Sequence, residues 1–391
     1  MENRSNAKRV ILPDLLFDGV ADAPQSGMAV VIEGGHITAV RMAKADDQSA
    51  PHILSPAIAA PGFIDLQING AGGMLFNDSP TPETIECMIT AARQGGTAYL
   101  LPTFITQAGT GYKQAIAAVD TAMAAAMPGV LGLHLEGPFI SPKSPGIHPA
   151  DAIRKLTEAD LDTLCQPFSG KLLITLAPEE VTEGVIRRLA NAGLIVFAGH
   201  SLASYECMQR ASAEGLRGGT HIFNAMSQCR AREPGVVGAL LDISDLFAGI
   251  IADGHHVHSA NLRLAVQKIS PDRLFLVTDA MPTLGSSSNF FNLLGKDIYL
   301  RDGVLSDASG QLAGAHIAMD EAVRNMISMC GLSAAAALSM ASTTPARALG
   351  LQADLGVIRP GARAGLTLMD KKFYAIGVIS DGAVFMQQTR R

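Results

Sequence analysis

The stretch Leu194-Ile195-Val196-Phe197-Ala198-Gly199-His200 is an apolar run that stops at a glycine and a histidine. A helical stretch, Ser204 to Glu214, follows, and the chain returns as Thr220-His221-Ile222-Phe223. A continuous apolar run reads as a strand buried on both faces, which a helix-covered parallel sheet provides. Strand, helix, strand in that order is one β/α unit, and the same unit recurs on either side. Towards the N-terminus, Gly62 to Leu66 precedes helix Thr81 to Gln94, and Ala98 to Leu101 precedes helix Gly111 to Ala126. Val130 to Leu135 then precedes helix Ala150 to Leu164, and Lys171 to Leu176 precedes helix Glu179 to Ala192. Towards the C-terminus come Ala248 to Ala252 with helix Ser259 to Lys268, then Leu274 to Thr278. A last helix pair, Asp320 to Met329 and Ser333 to Ala341, closes the region. About eight such units between residues 59 and 356 fit a (β/α)8 TIM-like barrel better than an open sheet.

Both ends of the chain read differently. Val10 to Leu12, Met28 to Ile32 and Ile37 to Val40 are strand-like, with Glu33-Gly34-Gly35-His36 as a turn. Gly365 to Met369 and Ala375 to Ile379 are similar, and Asp381-Gly382 is a hairpin turn before Ala383 to Met386. Chain termini often lie close together, so these segments can pair. Residues 1–58 and 357–391 are therefore expected to form one small β domain beside a barrel of residues 59–356.

Composition excludes several classes. The chain has 391 residues, 48% hydrophobic and 17% charged, which suits a large buried interior. A net charge of −6 offers no basic stripe for nucleic acid or an acidic membrane. Met1 to Arg9 is polar, and the apolar run after it is broken by Pro13 and Asp14, unlike a secretory core segment. The longest apolar window, Ala115 to Leu135, contains Asp120, Pro128 and Gly132 and does not read as a membrane span. Five cysteines are scattered without a Cys-x-x-Cys pair, as in a reduced cytoplasmic protein.

In a parallel barrel the chemistry lies where strands end. Val130 to Leu135 delivers Glu136 just before Gly137-Pro138, and two later strands deliver His200 and His221. Leu274 to Thr278 ends in Asp279. One carboxylate and two imidazoles make an open three-ligand set for a divalent cation, with room left for water. A rival reading takes Gly199-His200-Ser201-Leu202-Ala203 as a serine nucleophile turn, with Asp279 and His316 following. It lacks the second glycine, and no oxyanion segment accompanies it.

These residues resemble the N-acetylglucosamine-6-phosphate deacetylase family of the amidohydrolase superfamily. The resemblance rests on Pro61-Gly62-Phe63-Ile64-Asp65, His134-Leu135-Glu136-Gly137-Pro138 and Ala198-Gly199-His200-Ser201. It continues through Thr220 to Met226, Arg232-Glu233-Pro234-Gly235, Ile251 to His256 and Val277-Thr278-Asp279-Ala280. It implies a barrel flanked by a small β-sandwich built from both termini, and a homodimer. It implies Glu136, His200 and His221 as ligands of one divalent metal, zinc first, with Fe2+, Co2+ or Mn2+ as substitutes. Asp279 would be the acid/base, and His148 would contact the substrate carbonyl. Asn224, the Ala225 backbone, Arg232 and His256 would contact the sugar phosphate, with Arg232 reaching the neighbouring subunit's substrate. His255 and His258 leave the choice of His256 to motif alignment.

Two departures stand out. Many relatives carry His-x-His after Phe-Ile-Asp and bind a second metal there; this chain has Gln67 and Asn69. Asparagine and glutamine oxygens are weak ligands for zinc-class ions, so one metal is expected, with Gln67 free to bond water or substrate. Ala315 stands where relatives tend to have serine. The implied reaction is hydrolysis of N-acetyl-D-glucosamine 6-phosphate to D-glucosamine 6-phosphate and acetate. The galactosamine epimer is the alternative substrate, and a non-catalytic sugar-phosphate sensor is the alternative of another class.

Overall fold

The computed structural model describes residues 8–50 and 52–387, so the outermost parts of the expected terminal domain lie outside the described residues. Among the described residues, eight parallel strands follow one another around a single sheet. They are Phe63–Ile68 (β1), Thr97–Ile105 (β2), Gly132–Glu136 (β3) and Lys171–Leu176 (β4). Ile195–Ala198 (β5), Gly218–Gly219 (β6), Phe247–Ile250 (β7) and Leu274–Leu276 (β8) complete the order. The ring closes at its carboxyl mouth, where Ile68 bridges Ala280 in parallel. There the Asn69 and Gly70 amides donate to Ala280 O, and the Asp279 amide donates to Gln67 O at 2.8 Å. Asp65, buried within β1, accepts from the Thr278 hydroxyl and amide and ties the same seam one turn deeper. All but one residue of these strands is buried, as their continuous apolar sequence requires.

The helices fall close to expectation where a cap is strong. Thr81 accepts from the Thr84 amide and Pro82 opens Pro82–Ala92; Ser204 accepts from the Cys207 amide and opens Tyr205–Ala213. Two expected helices are shorter than their periodicity suggested. Ala150 to Leu164 is helical only over Glu158–Leu164, after a short 3-10 turn. Thr157 and Asp160 form a reciprocal capping box, and Asp160 also pairs with Arg154 at 2.6 Å, which fixes the helix start there. Glu179 to Ala192 is helical only over Val185–Asn191, because Gly184 takes φ 85 and interrupts the run. The strand expected at Thr220 to Phe223 ends at Gly219, since His221 and Phe223 take φ 35 and 80. A three-stranded antiparallel sheet, Phe290–Leu293, Lys296–Arg301 and Val304–Ser306, follows β8 and was not anticipated. Neither were helices Gly235–Asp242 and Thr343–Ala348.

The terminal segments form two packed sheets. One orders His36–Met42, Met28–Glu33, Arg9–Ile11 and Ile53–Leu54; the other pairs Ile58–Pro61 with Leu366–Met369 and so joins the two ends of the chain. Between them lies a core that includes Ile11, Val30, Ile32, Ile37, Leu366, Leu368 and Ile379. This is a small β-sandwich, and Ile58–Pro61 feeds almost directly into β1.

The Arg154–Asp160 pair yields a stability prediction. Burial would raise the Asp160 carboxyl, but Arg154, Thr157 and Tyr112 outweigh it and hold the group well below the usual range. A depressed carboxyl pKa contributes stability above its unfolded value, about 3.9, and loses it as pH falls. Asp160→Asn should therefore lower stability by about 1–3 kcal/mol at pH 7. In denaturant titrations the gap from wild type should shrink below about pH 4.

Candidate active site

Glu136 is the last residue of β3 and lies at the floor of the barrel mouth. His200 follows β5 after one glycine, and His221 follows β6 after Thr220. Glu136 Oε1 stands 2.9 Å from His221 Nε2 and 3.2 Å from His200 Nε2, and the two Nε2 atoms are 3.2 Å apart. Tetrahedral ligands at about 2.1 Å from zinc are about 3.4 Å from one another. The triangle is thus close to the size that one such ion imposes. His148 is a looser companion: it shares with Glu136 and His200 a cluster whose ligand atoms lie within 4.8 Å. Its Nε2 is 4.0 Å from Glu136 Oε2, wider than direct co-ligands require. The tighter set is Glu136, His200 and His221.

Charge points the same way. Glu136 and Asp279 are both buried, and among the described residues no lysine or arginine lines the cavity above them. Two carboxylates out of water and without a cation are unfavourable. Burial followed by the charge of Glu136 pushes the Asp279 carboxyl up to about 6. Burial would also raise Glu136, but its hydrogen bonds to His200 and His221 outweigh that and hold it low. This donor set fits a single divalent cation.

The first-strand amides sit under the carboxylates. Gln67 Nε2 donates to Glu136 Oε1 at 3.0 Å and to Asp279 Oδ1 at 3.2 Å. Asn69 Nδ2 donates to the same Asp279 oxygen at 2.6 Å. Gln67 was expected to touch substrate; it lies instead beneath the cavity wall and holds the two carboxylates. His200, His221 and Asp279 take φ 49, 35 and 50, so each histidine or aspartate leaves its strand in the left-handed region. That conformation costs about 1–2 kcal/mol per residue and recurs where geometry is set by function.

A cavity of about 270 Å³ opens above these groups. His148, Asn224, Ala225 and His256 line it, as the motifs suggested. Burial, then the neighbouring His200, lowers His148 to about 3, so its imidazole is neutral. Its Nδ1 is 2.8 Å from the Thr106 hydroxyl at the end of β2. His256 Nδ1 is 2.6 Å from Asp253 Oδ2, which turns its other nitrogen outward. His255 and His258 are exposed, and His258 caps helix Ser259–Lys268. His256 is therefore the member of that trio on the cavity wall. Arg232 is exposed and lies off the wall.

Ala315 sits behind the wall with its amide on Asp279 O at 2.9 Å, and His316 bonds Thr283. The serine-to-alanine departure thus falls outside the cavity lining. Sequence reasoning missed Thr106, Asp253 and Gln311. Thr106 was legible as a polar strand end, whereas Gln311 depends on the unanticipated sheet.

The amidohydrolase family model matches residues 58–387, and the chain belongs to that family. Within it stand two relatives of this chain. N-acetylglucosamine-6-phosphate deacetylase of Haemophilus influenzae is 38% identical over 324 residues, 82% of this chain and 84% of that protein. N-acetylgalactosamine-6-phosphate deacetylase of Shewanella sp. (strain ANA-3) is 36% identical over 380 residues, 95% and 96% of the two chains. The crystal structure of N-acetylglucosamine-6-phosphate deacetylase from Pasteurella multocida superposes with a TM-score of 0.92 at 33% identity. It covers 97% of this chain and 100% of that one.

The amide pair under the carboxylates leads to a measurable metal stoichiometry. Elemental analysis after zinc titration and desalting should give about one equivalent per chain, the count of a single three-ligand site. Two retained equivalents, with activity rising only as the second binds, would falsify the single-ion reading.

Proposed function

We propose that this chain hydrolyses the N-acetyl group of N-acetyl-D-glucosamine 6-phosphate to D-glucosamine 6-phosphate and acetate. The observation that carries the reading is Asp279, a buried carboxylate beside the Glu136, His200 and His221 donor triangle at the floor of the cavity. Glu136, His200 and His221 would hold a divalent ion, which would supply the Lewis acidity to activate water and polarise the acetamide carbonyl; zinc suits this nitrogen-rich set best, with Fe2+, Co2+ and Mn2+ as substitutes.

The chain's own residues do the rest. Asp279 accepts a proton from the attacking water and returns it to the nitrogen of the departing amine, so that one carboxylate serves both halves of the reaction. Gln67 and Asn69 hold its Oδ1 and leave Oδ2 for that transfer. His148, neutral and oriented by Thr106, offers Nε2 to the acetamide oxygen as negative charge develops there. Asn224, the Ala225 backbone and His256 take the sugar phosphate at the outer end of the cavity. Asp253 fixes the His256 ring for that contact.

The same reading extends to assembly. Arg232 is exposed and off the wall of its own cavity, a position compatible with the role the family resemblance implies for it, reaching the phosphate held by a partner subunit in a homodimer. Among the described residues no helix is long and apolar enough to cross a membrane, and a cytoplasmic location agrees with the unpaired cysteines. Among the described residues, 62–356 are assigned to the barrel and 8–50, 52–61 and 357–387 to the sandwich domain, because Ile58–Pro61 pairs with Leu366–Met369.

Acetate release tests the assignment. Wild-type protein should act on the 6-phosphorylated glucosamine substrate at least about tenfold better, in kcat/KM, than on the unphosphorylated sugar. The galactosamine 6-phosphate epimer, run alongside, decides between the activities named for the two relatives. Asp279→Asn should retain metal and substrate while kcat falls about 10²–10⁴-fold. A variant keeping a third of wild-type kcat would remove Asp279 from the chemistry.

Arg232 has its own test. Arg232→Ala and Asp279→Asn chains, each nearly inactive, should regain up to about a quarter of wild-type activity when mixed and re-equilibrated as dimers. Each mixed dimer contains one cavity with both residues intact. No recovery in verified mixed dimers would place Arg232 outside the partner's site.

A further inference from the structure

His148 sits on a segment, Ser144 to His148, whose own backbone bonds are short turns: Ser144 to Ser141, and His148 to Pro145. Those bonds shape the segment without fixing it to the barrel. At Gly146 the segment passes directly against the His200 ring, where an added Cβ would meet Cε1 at 3.0 Å. A small shift there would move the His148 imidazole and crowd a proposed metal ligand. On the barrel side Ser144 O meets His200 Nδ1 at 3.2 Å and His148 Nδ1 meets the Thr106 hydroxyl at 2.8 Å, so the far side of the segment, at Gly146 and Ile147, is what remains to be held.

The three-stranded sheet after β8 lies against its far side. Ile147 is buried in a separate apolar cluster with Phe291, Leu293, Ile298 and Leu305 from that sheet. Two side chains flank this plug. Gln311 Nε2 donates to Gly146 O at 2.5 Å, and Lys296 Nζ donates to Ile147 O at 3.4 Å. Asp307 Oδ1 accepts from the Gln311 backbone amide at 3.0 Å and so shapes the turn that carries Gln311. Consecutive carbonyls just before His148 are thus held by this sheet and the turn that follows it, through an apolar anchor and two donors.

We propose that this sheet is a clamp on the His148 segment, and that Gln311 and Lys296 are positioning residues for His148 in the deacetylation. The inference rests on the role given to His148 above. Displacement of a catalytic group by about 1 Å can reduce turnover about a hundredfold, so two hydrogen bonds at this point control rate more than global stability.

The experiment uses full-length, metal-loaded protein. Gln311→Glu keeps the shape of the side chain and removes its donor; Lys296→Met removes the other; Lys296→Arg keeps a cationic donor. Each variant and the double variant Gln311→Glu/Lys296→Met are measured for kcat, KM, metal content and Tm. Hydrogen–deuterium exchange of a peptide spanning Ser141 to Ala150 is followed without substrate. In the double variant kcat should fall about ten- to a hundredfold with KM within about threefold. Exchange at Gly146 to His148 should rise, metal content and Tm should hold, and Lys296→Arg should retain most of the activity. A raised KM with unchanged exchange would mean that Gln311 contacts substrate directly and would overturn the clamp. A lowered Tm with kcat intact would overturn it too, by reducing the sheet to a structural support. If wild-type protein released no acetate, the functional reading would fall. The exchange arm would still judge the clamp, with unchanged protection rejecting it.

Discussion

Two carboxylates buried a few ångströms apart, Glu136 and Asp279, set the terms for everything else at the barrel mouth. Each is taken out of water, each raises the other's proton affinity, and no basic side chain among the described lining residues offsets them. The chain meets that demand from two directions. Above, the His200 and His221 nitrogens converge with Glu136 on a point that fits one cation. Below, the Gln67 amide bridges the pair and Asn69 holds Asp279 from the side. An amide carries only a partial positive charge, so it relieves the repulsion without becoming a competing ligand.

That arrangement explains why the barrel closes where it does. Gln67 is the last residue but one of β1 and Asn69 lies just past its end, Asp279 follows β8, and these are the first and last strands of the ring. The hydrogen bonds that support Asp279 are therefore continuous with those that seal the sheet, from Asp65 and Thr278 up to Ile68 and Ala280. Loosening the seam would move the Asp279 carboxylate. The left-handed backbone at His200, His221 and Asp279 belongs to the same economy of space, because each side chain must turn inward within two or three residues of its strand's end.

The barrel and its donor triangle were legible because they follow from local rules. Apolar runs buried on both faces leave no doubt about a parallel sheet, and polar residues just past them can only point into the mouth. The β-rich termini and their pairing were also legible, since Asp381-Gly382 marks a hairpin, whereas the sandwich itself was implied only by the family resemblance. What local pattern could not supply was competition between neighbours. Ala150 to Leu164 has helical periodicity throughout, yet Asp160 bonds both Thr157 and Arg154 and starts the helix late. Gln67 looked available for substrate, and only the fold shows its amide committed to two carboxylates from strands 69 and 212 residues away. The segment from 290 to 311 shows short β-branched and aromatic stretches between glycines, but no local feature says what such a sheet would cover.

The division of labour between the two walls of the cavity follows from this. One wall is barrel, with Glu136, His200, His221 and Asp279 rooted at strand ends and braced by the seam. The other is built from insertions, with Ile147 and His148 on one segment and Gln311 and Leu312 on another. Rigid strand ends suit groups that must keep fixed distances to one ion, where an error of a few tenths of an ångström weakens every contact at once. Inserted segments suit groups that meet the variable part of a substrate. His148 is the exception, because it packs against the strand-end His200 from an inserted segment, with ring centroids 4.3 Å apart. That mismatch requires a brace of its own, which Thr106 provides from the barrel side and the three-stranded sheet from the other.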